Sequence, residues 1–380
     1  MTMKSISNPF VTTGYAGPAY FCDRKEESKS ILGSILGGTP ITLTSIRRIG
    51  KTGLIHHVLH QLPRDVIGIY LDIQAAEDLN GFMNILATSL LRATPEKSKP
   101  GKIIWDFMKR LRPVITFEQL SGMPQVTLDV NDRKAEPDIE TILRFLEKQP
   151  FRVVVAIDEF QQILNFPEKR TDAWLRGIIQ QLANVTFIFA GSQQHLMNDL
   201  FSSPSRPFYR STGFMRINKI PAEEYTRFIC RAFSKGNRRI DEEIAGEILE
   251  WTDRYTYYTQ LLCNRIYYSG EPVITSKIWQ AEALKLIIES ETVFFNYRDL
   301  LTSPQWMLLK ALASEKRVSS PTARDFLLKH NLSGSATVLQ SLQSLIRKEM
   351  VYKDYDTSGK SFYSVYDLLF QHWIAEFGKS

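Results

Sequence analysis

The stretch ITLTSIRRIGKTGLIHHVLHQL, residues 41–62, passes from a short apolar strand (41–45) through a basic loop into a helix (51–62). Within it, Ser45-Ile46-Arg47-Arg48-Ile49-Gly50-Lys51-Thr52 matches the phosphate-binding pattern G-x-x-x-x-G-K-[ST] at every fixed position but the first, where Ser45 stands for Gly. The strand–loop–helix setting gives each residue a physical task. Gly50 lets the backbone curl so that N–H groups face a phosphate, and the start of the helix adds its positive end. Lys51 reaches the outer phosphates as a point charge, and Thr52 offers a hydroxyl to Mg2+. Ser45 is small enough to make the turn. Ser45, Ile46, Arg47, Arg48, Ile49, Gly50, Lys51, Thr52 and Gly53 are therefore the candidate nucleotide-binding residues. Arg47 and Arg48 lie inside the loop, to meet phosphate or to pair with acids of a covering lid.

The same rhythm continues downstream. VIGIYLDI (66–73), FRVVVAID (151–158), NVTFIFAG (184–191) and GFMRINKI (213–220) read as strands, with helices over 78–92 and 171–182. Strands apolar on both faces, alternating with helices, imply a parallel sheet covered on both sides. The second of these runs ends in Asp158-Glu159. Carboxylates at the edge of an apolar sheet are costly unless they bind something. Asp158, alone, could simply cap the segment that follows; with a phosphate loop upstream, it is expected to hold Mg2+ together with Thr52. Glu159 is expected to polarise the attacking water. The next strand ends in Ser192-Gln193, on the edge that faces the ligand crevice of such sheets. Ser192 is the first candidate to touch the γ-phosphate or the water, and Gln193 the second. Arg210, in PFYR (207–210), is the candidate for stabilising transition-state charge in its own subunit or a neighbour's, with Arg206 as its competitor and Arg254 as a weaker candidate from the lid. His56, His57 and His60 share the loop's helix, but no suitably spaced carboxylate or further His makes them a metal signature; packing and surface roles are expected.

Length and composition bound the rest. The 380 residues suggest two or three domains; 43% hydrophobic and 23% charged residues exclude a mainly disordered or fibrous chain. No apolar run reaches the ~20 residues of a membrane helix, and MTMKSISNPF has no signal-peptide core. Three scattered cysteines (Cys22, Cys230, Cys263) exclude a disulfide framework and a zinc site, so a cytoplasmic protein with no membrane partner is expected. A net charge of +6 at this length permits a nucleic-acid partner without demanding one.

Three domains are expected. Residues 1–220 form the sheet core, interrupted at about 93–140 by a polar, Lys- and Pro-rich insert. There RPVITFEQ (112–119) and QVTLDV (125–130) flank Ser121-Gly122-Met123-Pro124 as a hairpin. Residues 221–300 fit a helical lid, with helices over 222–234, 240–251, 256–268 and 276–293. Residues 301–380 fit three helices, two strands around a Thr-Ser-Gly turn, and a last helix: a winged helix-turn-helix. Its third helix, from Ser333 to Glu349, would be the DNA-reading one, yet Arg347 and Lys348 stand only at its end. The segment carries 10 Lys and Arg against 7 Asp and Glu, a thin excess for phosphate contacts.

These residues together resemble the archaeal-type ATPases of the STAND/AAA+ P-loop class, a group also found in bacteria. FCDRKEE (21–27) is similar to that family's opening Phe-x-x-Arg-x-x-Glu. SIRRIGKT, AIDEFQQI and FAGSQQHLM are similar to its P-loop, Walker B and strand-4 motifs. PFYRSTG and DLLFQHW (367–373) resemble its Pro-Leu-Tyr-x-Arg and Asp-Pro-x-Phe-x-x-Trp segments. Two positions depart from the pattern: Ser45, and TDRYTYYTQ, where Thr256 occupies the usual proline place. The resemblance implies an ASCE-type sheet, a helical lid and a winged helix. It also implies ATP (or ADP) with Mg2+, in preference to GTP, and nucleotide-controlled switching more than fast turnover. The expected activity is that of an ATP-hydrolysing switch. The competing readings are a DNA-binding regulator and an oligomerising scaffold, each with a structural nucleotide. The partners these imply are nucleotide, DNA or protein at the winged helix, and further copies of the chain.

Overall fold

The computed structural model describes residues 8–111, 113–118, 121–128, 135–356 and 358–378. Parts of the expected hairpin (Arg112, Gln119, Asp129, Val130), Thr357 of the expected wing turn and the first seven residues lie outside the described residues. The chain divides into two compact units, one of Val11–Tyr225 with Tyr255–Tyr257, the other of residues 8–10, 226–254 and 258–378.

In the first unit the elements run α1 (Lys25–Leu36), β1 (Ile41–Thr44), α2 (Lys51–His60), β2 (Val66–Asp72), α3 (Leu79–Ala93), α4 (Lys99–Arg110), β3 (Val114–Phe117), β4 (Pro124–Thr127), α5 (Ala135–Glu147), β5 (Arg152–Asp158), α6 (Thr171–Ile179), β6 (Val185–Gly191), α7 (Gln194–Ser202) and β7 (Gly213–Arg216). Five strands form one parallel sheet in the order β2-β5-β6-β1-β7. The expected parallel α/β core is thus present, with every residue of β1 and β6 buried. Such strands carry near-continuous Val, Ile and Phe because both faces are covered. The order reverses direction about β1 and β6. The chain leaves β1 toward the β2 edge and leaves β6 toward β7, so a crevice opens at the strand ends between them. Beneath it Phe160, Phe189, Phe201 and Phe208, all 3% exposed or less, pack with ring centroids 4.6–5.7 Å apart. Phe160 directly follows Glu159, so this cluster anchors the acidic turn. Truncating one of these rings to Ala would cost about 3–5 kcal/mol.

The insert differs from its polar reading. β3 and β4 pair antiparallel, as a two-stranded sheet separate from the core sheet. It is tied to α3, where the Val126 and Leu128 amides donate to Thr88 Oγ1 and Asn84 Oδ1. Two helices unforeseen in the sequence flank it. α4 buries Ile104, Trp105 and Met108, and α5 buries Ile139, Ile142, Leu143 and Leu146. Both stripes have helical spacing; in α4 the surrounding Lys and Pro masked it.

The second unit contains α8 (Ala222–Lys235, from Thr226), β8 (Arg239–Ile240), α9 (Glu242–Trp251), α10 (Thr256–Tyr268, from Tyr258), β9 (Val273–Ile274), α11 (Ser276–Glu289), α12 (Glu291–Asp299), α13 (Ser303–Glu315), α14 (Arg324–Lys329), α15 (Ser335–Arg347), β10 (Val351–Tyr355), β11 (Ser361–Val365) and α16 (Leu368–Phe377). From α13 to β11 the order is that of the expected winged helix: three helices and an antiparallel hairpin, with Val318 bridging to Tyr363 as a short third strand. Phe10 enters this unit, stacking near Phe233 at 4.7 Å, while Asn8 and Asn264 exchange bonds with each other's neighbourhood: Asn8 Nδ2 donates to the Asn264 carbonyl and Asn264 Nδ2 to that of Phe10. Among the described residues no helix is long and apolar enough to cross a membrane.

Candidate active site

The site gathers where strands β1, β5 and β6 of the core sheet end. β1 hands the chain to the loop 45–50, and α2 starts at Lys51. Gly50 takes φ 93° and Arg48 φ 68°, two left-handed steps that curl the loop. Gly50 has a second reason to lack a side chain: a Cβ there would lie 3.3–3.5 Å from Thr256. Ser45 is 1% exposed and its hydroxyl is buried without a hydrogen-bond partner. Arg24, which the motif reading left without a role, holds the loop from below. Its side chain is 3% exposed and donates to the Ile49 carbonyl at 3.2 Å and to that of Asn218 at 2.5 Å. From the other side Thr256 Oγ1 donates to the same Ile49 carbonyl at 2.6 Å, and the Tyr257 amide to that of Arg48 at 3.0 Å. The Arg48 guanidinium lies over the Tyr257 ring at 5.0 Å. The residue in the expected proline place therefore touches the loop through a hydroxyl.

The structure brings Lys51, Thr52, Asp158, Glu159 and Ser192 together. Lys51 Nζ lies 2.5 Å from Asp158 Oδ1 and 3.5 Å from Glu159 Oε1. Thr52 Oγ1 donates to Asp158 Oδ2 at 2.7 Å, and the Glu159 amide to Oδ1 at 3.0 Å. Asp158 is 2% exposed. Burial alone would raise its pKa, but the charge of Lys51 and the bonds from Lys51, Thr52 and the Glu159 backbone outweigh it and hold the carboxyl below its ordinary range. Tyr70, on β2, donates to Asp158 Oδ2 at 3.2 Å. Burial, then Asp158 and Asp72, push that phenol well above its ordinary pKa, so it remains a donor. Asp72, paired in register with Asp158, is raised by its own partial burial, with Asp158 and Glu159 adding to the effect.

Glu159 adopts φ 56°. Its Oε2 accepts from Ser192 Oγ at 2.9 Å and from Gln161 Nε2 at 2.5 Å. Arg47 Nε reaches Ser192 Oγ at 3.5 Å. Tyr70 and Gln161 were not foreseen. Tyr70 gives no motif signal. Gln161 is visible only as a polar residue two places after Glu159, in a turn whose buried side the sequence does not mark.

Gln193, Arg206 and Arg210, in the same unit, are not bonded to this cluster. Gln193 precedes α7 and its side chain does not cap it. Arg206 is paired with Asp199, and more distantly with Asp172 at 3.6 Å. Arg210, at φ 50°, lies over the Tyr209 ring at 5.2 Å and is not bonded to the cluster. Arg254 belongs to the other unit. The histidines pack: His57 stacks on Phe21 at 4.0 Å and bonds Tyr15, and His56 packs on Tyr70 at 4.2 Å. Among the described residues no cluster of His, Cys, Asp or Glu could hold a metal by itself. A hard cation would have to complete its shell with ligand oxygens beside Thr52 and Asp158.

The donor set fits a phosphate chain with such a cation. A curled loop and helix start face an anion, Lys51 supplies positive charge, and Thr52 and Asp158 supply hard oxygen ligands.

Residues 292–376 match a family model described as "Probable winged helix domain". No curated protein sequence matches the chain. Among solved structures, the Walker-type ATPase paby2304 of Pyrococcus abyssi aligns over 97% of this chain and 99% of its own, at 18% identity and a TM-score of 0.67. The ORC2 protein of Aeropyrum pernix, solved in ADPNP–ADP complexes, aligns over 98% of both chains at 12% identity and a TM-score of 0.50. The ORC1 protein of the same organism, solved in complex with DNA, aligns over 95% of both at 12% and 0.51. The fold matches that of these solved proteins: a parallel-sheet α/β core followed by a helical region and a winged helix.

Proposed function

We propose that the chain binds Mg2+-ATP and hydrolyses it, and that nucleotide state sets the position of the helical region and winged helix. The observation that carries this reading is the meeting of the buried Lys51–Asp158 pair with Thr52 and Glu159 at the end of the P-loop. Residues 45–53 would cradle the phosphates, and Lys51 would exchange Asp158 for the outer phosphates. Thr52 and Asp158 would hold Mg2+, which supplies charge neutralisation between the phosphates when bound. Glu159 would orient the attacking water and take its proton, a role worth about 10²–10⁴ in rate. Ser192 touches Glu159 and, through Arg47, the loop, so it would report the γ-phosphate to both. Arg210 stands outside the cluster, which suits action on a neighbouring copy's nucleotide. The STAND-like switch rests on the sequence resemblance and on the Thr256 and Tyr257 bonds to the loop. These join loop geometry to the start of α10, an element whose equilibrium a γ-phosphate could bias.

Steady-state hydrolysis with Mg2+, beside a titration with a fluorescent ATP analogue, tests it. Binding with turnover supports the reading; a folded chain that binds no nucleotide overturns it.

The second reading, a DNA-binding regulator with a structural nucleotide, draws on the winged helix and its exposed α15 face of Ser335, Leu339, Gln340, Gln343 and Arg347. One cation on that face gives few phosphate contacts, so binding would be weak and only shallowly salt-dependent. A gel shift at low salt supports it, and none there sinks it. A protein partner at the same face, or ATP-dependent self-association, would appear as a change in mass by light scattering.

A further inference from the structure

We propose that Gln161 is a positioning residue for Glu159, fixing its carboxylate so that Oε2 is tethered and Oε1 is left for the reaction. The inference rests on the reading of Glu159 as the water-orienting base. Gln161 is 3% exposed, inside the turn that follows β5. Its Nε2 donates to Glu159 Oε2 at 2.5 Å, the oxygen that also accepts from Ser192 Oγ at 2.9 Å. An ionised carboxylate accepts only, so the amide must present nitrogen to it. Three donors occupy this oxygen from two elements: Gln161 from the turn after β5, and from the end of β6 the Ser192 hydroxyl and, at 3.4 Å, its backbone amide. The other oxygen, Oε1, is the one on the Lys51 side, at 3.5 Å.

The surroundings are built around this amide. Gly191, the last residue of β6, leaves the space it occupies: a Cβ there would lie 2.2 Å from Gln161 Oε1 and 2.5 Å from Met197 Sδ. Any other residue at 191 would evict the amide. Gln161 Oε1 is itself buried without a hydrogen-bond partner. Native folds keep such orphans rarely, and an orphan here means that the amide's place is set by the carboxylate on its other end. Glu159 is held in the left-handed region at φ 56°, so its side chain leaves the strand direction and needs an external tether. A base loose by about 1 Å can lose on the order of 10² in rate, which is the defect the tether prevents.

The test is a double-mutant cycle in single-turnover ATP hydrolysis. Gln161→Met keeps the volume and removes the donor. It is expected to lower kcat about 10- to 100-fold while KM and ATP-analogue affinity stay within about twofold. In a Glu159→Gln background the same change is expected to have no further effect, because the tethered base is already gone. Should Gln161→Met fail to fold, Gln161→Glu takes its place, setting carboxylate against carboxylate with the same expected split. Wild-type hydrolysis unchanged by either variant overturns the role of Gln161 and leaves the proposed function standing. An equal loss in both backgrounds overturns it too, as a structural effect. A wild type that does not hydrolyse ATP overturns the role and the hydrolytic reading together.

Discussion

Asp158 and Asp367 stand at matching places in the two units, each where a strand gives way to a helical turn, and each accepts from tyrosine. Tyr70 bonds Asp158; Tyr258 and Tyr297 bond Asp367 at 3.0 and 3.2 Å. Their other partners differ. Asp367 accepts from the Leu369 and Phe370 amides and so caps α16. Those donors are backbone and have nowhere else to go. Asp158 accepts from one backbone amide, that of Glu159, but also from Lys51 and Thr52, long or rotatable groups that can turn to a phosphate and a cation. Burial and a tyrosine partner do not distinguish a working carboxylate from a structural one. The exchangeability of the remaining donors does.

Removing Lys51 should break the comparison most forcefully. Lys51→Ala is expected to lower nucleotide affinity at least 100-fold in a fluorescent-analogue titration. Because it strands a buried carboxylate, it should also cost about 3 kcal/mol in chemical denaturation. Unchanged affinity would make Asp158 as structural as Asp367.

Asp158→Asn comes next. It should raise the Mg2+ needed for half-maximal turnover by an order of magnitude or more, because a hard cation loses an anionic ligand. It should also change the acid limb of stability. The folded pKa of Asp158 is depressed, so its contribution is complete above the unfolded value of about 3.9 and is lost as pH falls through the lower folded value. Melting curves between pH 5 and 2 should fall more steeply for wild type than for the Asn variant.

Asp367→Ala should cost about 1–2 kcal/mol, the usual loss for an N-cap, and leave KM for ATP within about twofold. A large change in KM would place Asp367 in the working class.

The smallest effect concerns His372, stacked on Trp251 at 4.1 Å with its Nε2 on the Trp251 carbonyl. Burial lowers its pKa, so the folded state resists a proton that the unfolded chain accepts below about 6.5. Stability should therefore decline as pH falls from 7 to 5. His372→Gln should flatten that decline, as read by urea denaturation.

The sequence announced those parts of the site that obey a local rule. Lys51 and Thr52 follow from loop spacing, and Asp158, Glu159 and Ser192 from apolar strands that end abruptly in polar residues. The parallel sheet and winged helix were legible because periodicity reports burial. The roles of Gln161, Tyr70 and Arg24 were not: those of Gln161 and Tyr70 depend on where strands β2, β5 and β6 lie side by side, that of Arg24 on where the segments after β1 and β7 come together, and no local pattern encodes either. α4 was hidden for another reason: Lys99, Pro100, Lys102, Lys109 and Arg110 crowd a short stripe whose buried apolar members are Ile104, Trp105 and Met108, with Phe107 partly buried beside them. Arg210 shows the limit of composition: an arginine near a strand end is visible in one dimension, but its place over the Tyr209 ring, outside the cluster, is not.

The central claim is that the donors around Asp158 and Glu159 exist to be exchanged for nucleotide and cation. Steady-state ATP hydrolysis with Mg2+, comparing wild type with Glu159→Gln and assaying nucleotide released on denaturation, tests it most directly. The account predicts turnover in wild type, a loss of about 10²–10⁴ in the variant, and retained nucleotide binding in both. Equal turnover in the two proteins, or no nucleotide binding by either folded chain, would contradict it.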